Sequence, residues 1–179
     1  MARVADGDET ALGRLHDRHA SLLTALVRRM ISDPSDAEDI VQEAFLQVWH
    51  QAPRYDRSKA SVPTWLVLIA RSRAIDRLRS ERVKSRTLND FGQQRGATHT
   101  SPEGARTVLE EQRRSRLRNE LGKLPDEQRQ VLELAFFNGL TQSQIAGSTG
   151  IPLGTVKTRT LLAMKKLRAA LTDEIRDFL

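Results

Sequence analysis

Cysteine is absent from the 179-residue sequence, and aromatic residues make up only 4% of it. The absence of cysteine excludes disulfides, thiolate zinc sites and thiol-based redox sensing within this chain. No uninterrupted apolar run is long enough to cross a bilayer. The opening residues, MARVADGDETALGRLHDRH, lack the apolar stretch of a secretion signal. We therefore expect a cytoplasmic protein with no membrane insertion.

Signals for β-strands and for a Gly-rich phosphate loop are missing as well. Ala, Leu and Arg are abundant, a composition that suits helices better than sheets, and we predict an all-α fold. The formal net charge is +6 and the sequence pI is about 10.3, which favours a polyanionic partner such as nucleic acid or an anionic membrane surface. A basic protein without such a partner would show the same net charge.

Apolar periodicity divides the chain into two helical domains. In the first, Asp8 is expected to cap a helix, and a second helix is expected to start at Asp33-Pro34, or at a capping box of Ser35 with Glu38, and to stop before Pro53. A third helix follows a polar loop. The next stretch, rich in Thr, Gly and Gln, has no sustained apolar period and is typical of a flexible linker. The prediction is two small domains, an N-terminal helical bundle (1–84) and a C-terminal helix-turn-helix domain (105–179), joined by a flexible linker (85–104).

A helix-turn-helix is indicated within LTQSQIAGSTGIPLGTVKTR, residues 140–159. Thr141 and Gln144 form a T-x-x-Q capping box that starts the first short helix. Ala146 is small enough for two helices to cross closely, Gly150 suits a turn with positive φ, and Val156 returns to the core. Together these residues predict the motif.

The second helix of this motif has an unusual first turn. If Pro152 is its first helical residue, unbonded N–H groups face outward there and can bind phosphate, while Lys157 and Arg159 reach phosphates or base edges one turn deeper. Val156 and Met164 are expected on the inward face. A plain two-helix corner with a solvated basic face would leave this bare turn unexplained. The candidate DNA contacts are Pro152, Gly154, Thr155, Lys157, Thr158 and Arg159.

An acidic stripe runs along DAEDIVQEAFLQVWHQA, opposite an apolar stripe on the same helix. A solvated face is the ordinary interpretation, and acidic residues near a helix N-terminus are favourable in any case. However, an acidic stripe that includes an exposed Leu, in an otherwise basic protein, favours docking on a basic protein surface. The candidate docking residues are Asp36, Asp39, Gln42, Glu43, Leu46 and Gln47.

Five blocks of the sequence together resemble the bacterial RNA polymerase sigma factors, in the short two-domain form of the extracytoplasmic-function type of the sigma-70 family. They are GDETALGRLHDRH, DAEDIVQEAFLQVW, PTWLVLIARSRAIDRLR, LPDEQRQVLELAFFNGLTQSQIA and IPLGTVKTR. Their order and spacing match over nearly the whole chain except the linker. The resemblance implies a factor that binds core RNA polymerase, recognises and melts the minus-10 promoter element, and reads the minus-35 element as duplex.

The same resemblance implies roles for individual segments. The acidic helix would dock on the coiled coil of the largest core polymerase subunit, and the loop Arg54–Val62 with the following helix would capture a flipped base of single-stranded minus-10 DNA. An anti-sigma factor is expected to hold such a protein inactive. Trp49 and Trp65 are interpreted as core residues. The minus-10 candidates are Tyr55, Lys59, Ser61, Arg71, Ser72, Arg73 and Arg77.

Three other functions fit parts of the sequence. A transcription regulator of another class would share the helix-turn-helix, but residues 1–79 lack the alternating strands and helices of a receiver domain. An enzyme could use His16 and His19 as metal ligands, yet no third ligand follows at a plausible spacing. A pure protein-binding module is the third. We expect no cofactor, no metal and no catalytic residue, since the chemistry would belong to the polymerase.

Overall fold

The computed structural model describes residues 1–87, 115–116 and 118–171. The chain divides into two compact units, residues 1–104 and 105–178, called unit 1 and unit 2 below. Within the described residues every regular element is helical, which confirms the all-α prediction.

Unit 1, over its described residues, is built from four α-helices and one 3-10 turn. Asp8 caps the second helix by accepting a hydrogen bond from the Ala11 N–H at 2.9 Å. Asp33 caps the third by accepting from the N–H groups of Ser35 and Asp36 at 2.8 and 3.0 Å, so the Asp33 alternative is the one that forms. The elements are α1 (Ala2–Ala5), α2 (Glu9–Arg28), α3 (Pro34–Gln51), the 3-10 turn (Ala52–Arg54) and α4 (Val62–Thr87).

Helix α4 continues past residue 84, where the sequence led us to end the first domain. It runs to Thr87 because the sequence offers no Gly or Pro to stop it before Gly92. The rest of the predicted linker, residues 88–104, lies outside the described residues.

The core of unit 1 lies between α2, α3 and α4. Leu23, Val27, Val48 and Leu66 are fully buried. Helix α1 was not predicted: it is a single turn, too short to show a period, and its Val4 is buried against the unit. Short elements of this kind are held by tertiary packing rather than by propensity.

Unit 2 contains three longer α-helices within its described residues, preceded by a helical segment over residues 118–122. The apolar spacing of Val108, Leu109, Leu117 and Leu121 also predicts a helix before this segment, and apart from residues 115–116 that stretch lies outside the described residues. The core consists of Val131, Ile145 and Val156, all fully buried, with Ile151 packed against them. The three longer helices are α5 (Asp126–Phe136), α6 (Gln142–Thr149) and α7 (Leu153–Ala170).

One expected core position on α7 is wrong. Met164 is 49% exposed, and its neighbour Ala163 is fully buried instead. Ala163 lies seven residues, two helical turns, beyond Val156, whereas Met164 lies eight beyond it and is rotated by about 100° from Ala163. The buried side of α7 is therefore centred nearer to Ala163 than we expected.

Candidate nucleic-acid and protein interfaces

The turn between α6 and α7 has the geometry that the sequence predicts. The Thr141 Oγ1 accepts from the Gln144 N–H at 3.2 Å, and the Gln144 Oε1 accepts from the Thr141 N–H at 2.9 Å, so the capping box is complete. Helix α6 ends at Gly150, whose φ is +71°. Ile145 and Val156 then hold α6 and α7 to the core from either side of the turn.

Pro152 occupies the N-cap of α7 and not its first helical position. Its ψ of 138° is extended, so the helix begins one residue later, at Leu153. The Pro152 carbonyl accepts from the N–H groups of Thr155 and Val156 at 2.9 and 3.1 Å. The N–H groups of Leu153 and Gly154 precede these first helical bonds, and they are the donors that a helix N-terminus offers to an anion.

The six candidate DNA contacts surround this turn. Pro152, Gly154, Lys157 and Thr158 are exposed, whereas Thr155 and Arg159 are half-buried. The Thr158 hydroxyl donates to the Gly154 carbonyl at 2.9 Å, which fixes its rotamer while its oxygen can still accept. The six candidate DNA contacts thus lie around the turn that the buried Val156 side chain holds to the core.

The loop between the 3-10 turn and α4 is closed by Tyr55. Its hydroxyl donates to the Ala60 carbonyl at 2.9 Å, and its ring centroid lies 5.1 Å from that of Trp65. Tyr55 is therefore already engaged within the loop and half-buried. An isolated Tyr in a polar stretch gives no sign of such a contact, so the sequence alone could not have shown it.

Asp56 organises the tip of the same loop. Its Oδ1 accepts from the Ser58 N–H at 2.9 Å and from the Ser58 hydroxyl at 2.7 Å, and its Oδ2 lies 3.5 Å from the Lys59 Nζ. These hydrogen bonds from Ser58, with the charge of Lys59, hold the pKa of Asp56 below the usual range of an aspartate. The spacing Asp-x-Ser is a signal for such a turn, but we did not predict the turn from the sequence.

Ser61 lies immediately before α4. Its Oγ is 2.9 Å from the Thr64 Oγ1 and accepts from the Thr64 N–H at 3.4 Å, while its carbonyl accepts from the Trp65 N–H at 2.9 Å. All three loop candidates for minus-10 contact (Tyr55, Lys59 and Ser61) therefore contribute to the loop's own structure.

Helix α3 presents the acidic stripe on its outer side. Asp39, Gln42, Glu43 and Leu46 are exposed, and Leu46 is 60% exposed, which confirms the expectation of an exposed Leu. An open cavity adjoins Leu46 between α3 and α4. His50 and Gln51 contribute to its lining, although we did not select them from the sequence. The full lining consists of Glu43, Leu46, Gln47, His50, Gln51 and Arg73.

The structure brings together two groups of residues that we assigned to different partners from the sequence. The Arg73 Nε donates to the Gln47 Oε1 at 2.7 Å, and the Arg73 Nη1 lies 3.5 Å from Glu43. Arg77 pairs with Asp36. This hydrogen bond raises the pKa of the Arg77 guanidinium. We refer to the two charged contacts, Arg73–Glu43 and Arg77–Asp36, together with the Arg73–Gln47 hydrogen bond that accompanies them, as the α3–α4 ion pairs.

The two remaining minus-10 candidates lie on α4 before Arg73. Arg71 is half-buried and Ser72 is exposed. Burial lowers the pKa of the Arg71 guanidinium, although an arginine remains charged at any physiological pH.

His16 is engaged with an aromatic side chain. Its ring centroid lies 4.8 Å from that of Phe45, and its Nδ1 lies 3.5 Å from Asp17. Across the described ranges no cluster of three or more His, Cys, Asp or Glu residues is placed to hold a metal ion. No helix in that part of the chain is both long enough and apolar enough to span a membrane.

Comparison with known proteins identifies two family regions. Residues 15–83 match Sigma-70 region 2, and residues 114–167 match Sigma-70 region 4. Unit 1 thus contains the first match and unit 2 the second.

Curated relatives match along most of the chain. It is 36% identical over 161 residues to the ECF RNA polymerase sigma factor RpoE of Cereibacter sphaeroides, covering 90% of this chain and 86% of the relative. It is 33% identical over 174 residues to the ECF RNA polymerase sigma factor SigK of Mycolicibacterium vanbaalenii, covering 96% and 87%. Among solved structures, Rhodobacter sphaeroides SigE in complex with the anti-sigma ChrR is 33% identical, covering 94% of this chain and 93% of that one, with a TM-score of 0.46.

Proposed function

Because the chain belongs to the extracytoplasmic-function type of the sigma-70 family, we propose that unit 1 binds core RNA polymerase and opens the minus-10 element while unit 2 reads the minus-35 element. As a member of this family, the protein directs promoter-specific transcription initiation by RNA polymerase. We assign each task to particular residues within two domains, residues 1–84 and residues 105–179.

The minus-35 element is read by the first turns of α7. The observation that carries this assignment is the contrast within one turn: Val156 is fully buried, whereas the next two residues, Lys157 and Thr158, are exposed. A helix anchored in this way can enter the major groove with its N-terminal residues leading. Arg159 would supply a base contact and the Gly154 N–H a phosphate contact.

Core polymerase binds the outer face of α3. Asp39 and Glu43 are exposed one helical turn apart beside the exposed Leu46, so a basic partner surface would gain charge complementarity together with apolar burial. The coiled coil of the largest polymerase subunit is the partner we assign, with Asp36, Gln42 and Gln47 completing the contact.

Single-stranded minus-10 DNA binds the loop before α4 and the start of that helix. The loop is fixed by the Tyr55, Asp56 and Ser61 contacts, so a captured base would meet a surface that is already ordered. Lys59, which is exposed at the loop tip, would contact a phosphate, as would Arg71 and Ser72 on α4.

Three further properties follow from this function. The protein acts on the promoter without catalysing a reaction itself, because bond formation belongs to the polymerase. It works in the cytoplasm, where core polymerase and promoters are. A solved structure shows SigE of Rhodobacter sphaeroides in complex with the anti-sigma ChrR, and we assign a partner of that class to this chain.

A charge-reversal experiment tests the polymerase face. The variant Asp39→Lys/Glu43→Lys is expected to lose association with core polymerase in a pull-down, because the two introduced lysines would be repelled by a basic polymerase surface. The control Glu9→Lys/Asp17→Lys makes the same change of charge on α2 and should still associate. Equal retention of both variants would place the polymerase contact elsewhere.

A further inference from the structure

The α3–α4 ion pairs join residues that two different partners require. Asp36, Glu43 and Gln47 belong to the face assigned to polymerase, whereas Arg73 and Arg77 belong to the set assigned to promoter DNA. Arg77 contacts Asp36 across 41 positions of sequence, and Arg73 contacts Gln47 across 26. Each arginine therefore contacts a side chain of α3 that polymerase would bind. In the same way, each of these α3 side chains contacts an arginine that DNA would bind.

We propose that these pairs couple the two binding events: a basic polymerase surface that docks on α3 displaces Arg73 and Arg77, and the released arginines then bind phosphates of the promoter. The inference rests on the proposed function of α3 and α4. In the free protein the same pairs reduce both affinities, because each ligand must first break them.

The cavity beside Leu46 supports this exchange. Glu43, Gln47 and Arg73 all line it, so a side chain that enters from the docking partner contacts both members of the Arg73 pairs at once. The pairs are also accessible: the side chains of Arg73, Arg77 and Glu43 are 41%, 45% and 56% exposed, and that of Asp36 is 27% exposed. Exposed ion pairs of this kind exchange partners at little cost.

The strength of the ion pairs limits how much they can change the affinities for DNA and polymerase. Exposed ion pairs change an equilibrium by up to about fivefold each, so each pair should change an affinity by a small, measurable factor. Coupling between two ligands is reciprocal. Polymerase should therefore raise the affinity for DNA, and DNA should raise the affinity for polymerase, by the same factor.

Arg77 retains a second acidic neighbour when Asp36 is lost. Its Nε lies 3.6 Å from Glu81 on the same helix, and Asp39 adds a weaker electrostatic attraction. Removal of the Asp36 charge is therefore expected to release Arg77 only in part, which again places the effect below about fivefold.

The first test measures binding of DNA by the full chain without polymerase. Asp36→Asn is expected to bind a fluorescein-labelled oligothymidine up to about fivefold more tightly than wild type. The slope of log affinity against log salt concentration should become steeper by up to about 0.7, because one further phosphate is contacted. The control Asp17→Asn removes the same charge from α2, where Asp17 is 84% exposed. If both variants gained equally, or if no variant bound at low salt, the coupling would be refuted.

The second test measures binding of core polymerase. Arg77→Gln exposes Asp36 and should tighten the complex, so that loss of a cation from the DNA-binding helix improves binding to a protein. Arg79→Gln is the control, because Arg79 pairs at 3.8 Å with Asp76 on its own helix and not with α3. An unchanged or weaker complex for Arg77→Gln, relative to Arg79→Gln, would overturn the inference.

Wild-type protein separates this inference from the proposed function. If wild type failed to associate with core polymerase, the proposed function itself would fail. If it associated while the two variants behaved like their controls, only the coupling would fail. Both tryptophans, Trp49 and Trp65, lie in unit 1, so an unchanged fluorescence unfolding transition verifies that each variant still folds.

Discussion

Gly150 determines how α6 connects to α7. Its φ of +71° lies in the left-handed region, and an added Cβ would meet nothing within 4 Å. The requirement for glycine is therefore conformational and not steric. Gly147, three residues earlier, lies inside α6 with ordinary helical geometry, and a Cβ added there would likewise meet nothing within 4 Å.

The same substitution should consequently have opposite effects at these two positions. Gly150→Ala is expected to lower the free energy of unfolding of unit 2 by about 1 kcal/mol, because alanine is strained at positive φ. Gly147→Ala should raise it by up to about 1 kcal/mol, because alanine is the better helix former.

Far-UV circular dichroism during urea unfolding measures this difference. Unit 2 contains neither tryptophan nor tyrosine, since Trp49, Trp65 and Tyr55 all lie in unit 1. Tryptophan fluorescence should therefore remain unchanged in both variants and serves as the internal control. Effects of the same sign at the two positions would contradict the conformation of the turn.

Asp56 provides a residue-scale prediction of pH dependence. Its pKa is held low, first by the Ser58 hydroxyl and then by the Ser58 N–H. A carboxylate whose pKa is lower in the folded than in the unfolded state contributes stability at neutral pH. This contribution is complete above the unfolded pKa and is lost as the pH falls through the folded pKa, so the loop should loosen only in acid.

Carboxyl-carbon NMR titration tests this interpretation. Ser58→Ala should raise the pKa of Asp56, because the larger of the two hydrogen-bond effects is removed. Asp8 is the control: the Ala11 N–H and Arg3 lower its pKa, and the substitution at Ser58 should not change it. An unaltered pKa for Asp56 in the variant would show that the hydroxyl does not bind the carboxylate in solution.

At the scale of the element, α6 and α7 are held by very few buried side chains. Ile145 is fully buried between them, whereas Leu161 on α7 is 68% exposed. Ile145→Ala should destabilise unit 2 by about 2–5 kcal/mol, as expected for removing a buried aliphatic side chain. Leu161→Ala removes an aliphatic side chain of the same size and should change stability by less than about 0.5 kcal/mol.

Dichroism-detected unfolding separates the two variants, and the Trp fluorescence transition of unit 1 again provides the reference. Comparable losses from both substitutions would mean that Leu161 is covered in solution. A negligible loss from Ile145→Ala would mean that the core of unit 2 lies elsewhere.

The elements also show which features can be predicted from sequence. The caps at Asp8, Asp33 and Thr141 and the turn at Gly150 were predictable because each depends on residues within four positions. The α3–α4 ion pairs were not, because Arg77 and Asp36 are separated by 41 positions and meet only through the crossing of two helices. Met164 was misplaced for a related reason: periodicity gives a stripe, and packing decides its edges.

At the scale of the whole molecule, the proposed function uses charges of both signs. The net charge of +6 favours promoter DNA, and the acidic face of α3 is the surface that we propose for a basic partner protein. The family and its general function were predictable because five sequence blocks occur in the right order. The contacts that occupy Tyr55, Ser61 and Arg73 were not, because they depend on loop closure and helix packing.

Run-off transcription with purified core polymerase and fragmented genomic DNA, followed by mapping of the start sites, tests the division between the two units most directly. Wild type is expected to produce transcripts from defined starts, and Arg159→Ala should lose those that depend on a minus-35 element while it still binds polymerase. If no defined start appears on any genomic template, or if Arg159→Ala loses polymerase binding together with promoter recognition, the account is contradicted.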